Sequence, residues 1–118
     1  MKRIALGICM ALAFAGGVQA KGNAEKGKLL SLPQDDKNKD GKGCAACHGP
    51  QGDKPLQADY PVLAGQHNDY LVRALTDYKS GRRNNAVMKG MAASLSKQDI
   101  EDLAAWFASQ KSHLHDQR

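Results

Sequence analysis

A chain of 118 residues holds one small domain and is too short for a multidomain enzyme. Its 42% hydrophobic and 25% charged residues exclude both a disordered chain and one embedded in a bilayer. One Trp, three Tyr and two Phe make a thin apolar inventory, so something other than side chains must help to fill the core.

Residues 1–20 read as a secretory signal, and residues 21–118 as the mature domain. Lys2 and Arg3 form a positive start, and Ile4 to Phe14 form an apolar stretch. Val18-Gln19-Ala20 offers small residues for cleavage before Lys21. The apolar stretch falls short of the roughly 20 residues that span a bilayer, which disfavours an uncleaved anchor. Cleavage removes two of the 17 basic residues, leaving 15 against 12 acidic ones. It also removes Cys9, so Cys44 and Cys47 are the only cysteines left, in an oxidising compartment.

Alanine is plentiful in the mature chain and β-branched residues are few, which predicts helices without strands. A first helix is expected after Asn23, a good N-cap, ending before Pro33. Residues 34–43 read as a polar loop, and a helical turn should carry Cys44 to His48. An irregular loop follows, with Pro55, Pro61 and Gly65. The next helix is expected from Asn68, with Tyr70, Leu71, Ala74, Leu75 and Tyr78 on one apolar stripe and Gly81 as its stop. Met88 and Met91 fall in what reads as a loop. The last helix opens at Ser96, with Asp99 completing a capping box. Ile100, Leu103, Ala104 and Phe107 lie on one face of it. Residues 111–118 read as a polar tail.

Cys44-Ala45-Ala46-Cys47-His48 is C-x-x-C-H, the attachment signature of c-type haem. Positions three apart on a helical turn face the same side, so both sulfurs can reach one haem edge. The adjacent imidazole can then ligate the iron. Three other readings compete. A Cys44–Cys47 disulfide would not require the histidine. A redox dithiol would want strands around it. A zinc site of Cys44, Cys47 and His48 would need a fourth ligand such as His67, and it lacks a second close pair.

An electron-carrying haem iron needs a sixth ligand, and thioether ligation stabilises the reduced metal. Met88 and Met91 are the candidates, with His67 as a rival. Core packing is the commoner use of methionine, but here the pair stands off any helical stripe. Asp36, Asn38, Asp40 and Gly41 imitate half a calcium loop, but its twelfth position is Cys47 instead of Glu. His113 and His115 read as tail residues. Lys79, Arg82, Arg83 and Lys89 form a basic cluster that could steer acidic redox partners. Nothing resembles a nucleic-acid recognition motif.

The sequence resembles class I c-type cytochromes, within them the c4/c553-like group, over about residues 23–110. The most specific stretches are C-A-A-C-H-G at 44–49 and Y-P-V-L-A-G-Q at 60–66. Met88-Lys89-Gly90-Met91 follows, leading to the segment 95–107. The resemblance implies an all-α small cytochrome c fold, with three main helices around one covalently bound haem c. It implies His48 and Met88 as axial ligands, with Met91 as the runner-up. Pro61 matches a family proline whose carbonyl accepts the imidazole N–H. Gly27 and Trp106 match the crossing of the first and last helices. Two departures stand out: Ser31 lies where the family has an apolar or aromatic residue, and residues 33–43 look like an insertion.

The function so implied is that of a periplasmic one-electron carrier, not an enzyme. Its partners would be redox proteins, membrane-bound respiratory complexes among the candidates, with no nucleic acid. The alternative is a haem enzyme subunit or small-ligand sensor with a displaceable sixth ligand.

Overall fold

A computed structural model describes residues 22–112. The expected signal segment at 1–20 and the histidines at 113 and 115 lie outside the described residues. Among the described residues five helices follow in order: α1 (Ala24–Ser31), α2 (Cys44–His48), α3 (Asn68–Ser80), α4 (Ala86–Ala93) and α5 (Lys97–Ala108). Among the described residues there is no strand.

The helix boundaries follow local chemistry. Asn23 Oδ1 accepts from Lys26 N at 3.0 Å and starts α1. Ser96 and Asp99 exchange side-chain and backbone bonds in a capping box at the start of α5. Gly81 ends α3 with φ 83°. The helix at 68–80 begins where expected, but His67, not Asn68, holds the cap position, with no side-chain bond.

Helix α5 packs against both α1 and α3, and α3 also packs against α4. The expected stripe Ile100, Leu103, Ala104 and Phe107 is buried and forms the centre of the core with Leu30 and Leu71. Tyr70 departs from its expected place: it is exposed, and its hydroxyl accepts from Arg83 Nη1 at 3.3 Å.

Gly27 and Trp106 do sit at the α1–α5 crossing, where α1 lies directly on the backbone of Asp102. Asp102 is 1% exposed and ties the two helices together. Its Oδ1 accepts from Asn23 N at 2.7 Å and from Gln98 Nε2 at 2.9 Å. Its Oδ2 lies 3.7 Å from Lys26 Nζ, an ion pair too long for a hydrogen bond. Asp102→Ala would strand the Asn23 N–H and is expected to cost about 2–3 kcal/mol, measured by urea denaturation. Asp102→Asn keeps an acceptor at the same place and should cost clearly less.

Residues 33–43 have a definite path and a structural task. The last turn of any helix leaves carbonyls without partners. Here the loop returns to supply them: Lys42 N donates to Leu30 O at 2.7 Å, and Asn38 Nδ2 donates to Leu29 O at 2.7 Å. Gly43 N donates to Leu32 O at 3.0 Å. Ser31 turns its hydroxyl to Lys28 O at 2.7 Å and is fully buried, and Leu30 beside it enters the core. The apparent insertion therefore caps α1 and delivers the chain to α2.

Candidate functional site

Helix α2 is a single turn bounded by two glycines in conformations that side chains rarely adopt, Gly43 at φ 78° and Gly49 at φ 92°. These let the chain enter and leave sharply, so Cys44, Cys47 and His48 are presented on one short turn. His48 is 6% exposed, and its Nδ1 lies 3.0 Å from the carbonyl oxygen of Pro61. A carbonyl can only accept, so Nδ1 carries the proton. The lone pair is thereby left on Nε2, the nitrogen available to a metal. Pro61 is held on a loop anchored at three points. Leu56 N donates to Cys47 O at 2.8 Å, Leu63 N to Gly52 O at 2.8 Å, and Gly65 N to Phe107 O at 2.9 Å.

The two cysteines are free thiols, each partly exposed. Burial pushes the Cys44 thiol up to about 11. A redox dithiol depends on a thiolate of lowered pKa, and Cys44 is shifted the opposite way. Among the described residues no group of three or more His, Cys, Asp or Glu side chains is arranged to hold a metal ion. The zinc reading thus lacks its ligand set, and His67 stays exposed at the start of α3. The donors that do come together are two thiols one turn apart and an oriented imidazole. These are what a porphyrin joined by two thioethers and one axial nitrogen requires.

Met88 and Met91 lie on helix α4, where a loop is expected from the sequence. Asn85 caps the helix, and Ala86, Ala92 and Ala93 are strong helix formers that outweigh Gly90. The missed signal was Asn85 directly before the run A-V-M-K-G-M-A-A. Met88 is half-buried, and Met91 is 38% exposed.

The basic cluster is smaller than its sequence suggests. Lys79 Nζ donates to Leu95 O and so joins α3 to the turn before α5. The Arg83 guanidinium sits 4.9 Å from the Tyr78 ring centre, and its bond to Tyr70 raises its pKa further above its ordinary value. Among the described residues the head groups of Arg82 and Lys89 have no ion-pair or ring partner.

The arrangement defines a helical domain built to hold a covalent haem. The family model described as Cytochrome c matches residues 24–111, and the chain belongs to that family. Cytochrome c4 of Pseudomonas aeruginosa is 35% identical over 94% of this chain and 50% of its own length. A crystal structure of reduced recombinant cytochrome c4 from Pseudomonas stutzeri superposes with a TM-score of 0.64 at 37% identity, over 77% of this chain and 47% of that one. A thiosulfate dehydrogenase electron acceptor of Thiomonas intermedia is 44% identical over 58% of this chain and 31% of its own length. The chain thus spans about half the length of the cytochrome c4 relatives it matches. It is a class I, c4-like c-type cytochrome of all-α fold that binds haem c covalently, with Cys44 and Cys47 in the attachment motif.

Proposed function

We propose that the chain is a periplasmic carrier of single electrons, with one haem linked to Cys44 and Cys47 and its iron held between His48 and Met88. The observation that carries the reading is the buried His48 with Nδ1 committed to Pro61 O, beside two free thiols. When bound, the haem supplies a metal that alternates between Fe(II) and Fe(III) without any bond to a substrate. The protein's own residues do the rest. Pro61 fixes the imidazole plane and keeps its proton on Nδ1, leaving Nε2 as the donor. The thioether of Met88 favours the reduced metal. The buried faces of α3 and α5 exclude water from the interior.

Residues 1–20 act as the cleaved export signal, and residues 21–118 form the carrier domain. Redox proteins are its donor and acceptor. The name of the Thiomonas relative supports an oxidoreductase as one such donor. The reading is tested on the purified holoprotein by potentiometric titration with carbon monoxide as a probe. A single one-electron transition and little carbon monoxide uptake by the reduced protein are expected. Rapid, tight uptake at neutral pH would instead mark an enzyme or sensor with an open sixth position.

A further inference from the structure

Helix α4 is a weakly buried element. It has eight residues, of which Ala92 is the buried one. A helix so short does not persist by propensity alone, so its end contacts decide how often it opens. At its start, Asn85 adopts an extended backbone, and its Oδ1 accepts the N–H of Met88 at 3.0 Å. The Asn85 carbonyl accepts from Lys89 N at 2.8 Å. One residue therefore fixes the backbone of Met88 and that of its neighbour. Asn23 and Ser96 cap α1 and α5 in the same way, onto Lys26 and Asp99. At Asn85 alone among these three caps, the captured N–H belongs to the residue read as the sixth ligand.

We propose that Asn85 is a positioning residue for the Met88 thioether: its cap bond holds the first turn of α4 closed and so keeps the sulfur in place. The inference rests on the reading of Met88 as ligand. Local opening of α4 frees the sulfur and exposes the sixth position to an external base. The apparent affinity for that base scales with the open population. Loss of an Asn cap raises the open population about fivefold. Met88 itself stays chemically intact, so the effect acts through geometry alone.

The test is imidazole binding to the oxidised holoprotein, in which an iron–nitrogen bond replaces the iron–sulfur bond with no electron transferred. Asn85→Ala should bind imidazole about fivefold more tightly than the parent protein. Asn85→Ser restores a cap of similar strength and should return the affinity to within about twofold. Asn85→Thr, a weaker cap, should give an intermediate shift and serves if the alanine variant does not accumulate. Ser96→Ala removes an equivalent cap from α5; it should lower the denaturation midpoint and leave imidazole affinity unchanged. Equal affinities for Asn85→Ala and the parent would overturn the inference. So would failure of the serine rescue, or an equal gain in Ser96→Ala. Met88→Ala separates the two levels. If it retains the sulfur-to-iron absorption, the ligand reading falls and takes the inference with it. If it loses that absorption while Asn85→Ala binds imidazole like the parent, the inference alone falls.

Discussion

Met88→Ala is expected to abolish the sulfur-to-iron charge-transfer absorption of the oxidised protein and to lower its reduction potential by on the order of 0.2 V, within the roughly 0.8 V range that axial ligands command. The thioether is a soft, neutral ligand that favours Fe(II), and water in its place favours Fe(III). The fold should survive the change. Met88 is half-buried on α4, so the packing lost is less than the 2–5 kcal/mol of a full core truncation. Met91 lies one turn further along the same helix and is 38% exposed. Met91→Ala should therefore leave both absorption and potential nearly unchanged. Spectroelectrochemistry on the two variants measures both quantities at once, and a reversed outcome would transfer the ligand role to Met91.

Much of this architecture is legible in the order of residues, and the unread parts have two causes. The haem turn is visible because C-x-x-C-H demands three residue types at fixed spacing. The start of α5 is visible because Ser96 and Asp99 satisfy each other's backbone within four residues. Such signals are local. The helix around Met88 was hidden because Gly90 and the shortness of the run obscured the cap at Asn85. Residues 33–43 look like surplus loop in sequence, since their use lies in bonds back to Leu29, Leu30 and Leu32. Tyr70 fits the apolar stripe of α3 by spacing, yet its hydroxyl partner, Arg83, comes from beyond Gly81. Lys79 reads as a surface charge until Leu95 O is brought beside it. The cap of α4 is local and was masked by its neighbours, but for the loop, Tyr70 and Lys79 the deciding partner lies about nine to sixteen residues away, beyond what one helical stripe can show.

Gly27→Ala is expected to destabilise the protein by at least about 3 kcal/mol, although helix propensity alone predicts the opposite sign. Within an ordinary exposed helix, Gly to Ala gains about 1 kcal/mol. At Gly27 a Cβ would overlap the backbone carbonyl oxygen of Asp102 and lie 2.9 Å from Trp106 Cβ. A carbonyl cannot rotate away as a side chain can, so α1 and α5 would have to separate. Separation stretches the 2.7 Å bond from Asn23 N to Asp102 Oδ1 and opens the packing of Leu30 in the core. Both losses add to the overpacking cost of about 1–3 kcal/mol. A small domain has roughly 5–15 kcal/mol of stability in total, so the variant should unfold at markedly lower denaturant. The matching measurement is guanidinium denaturation of the holoprotein beside Asp102→Asn, which weakens the same crossing without a clash. A Gly27→Ala variant as stable as the parent would show that the two helices can shift apart freely, and the close crossing would not be what holds α1 in the fold.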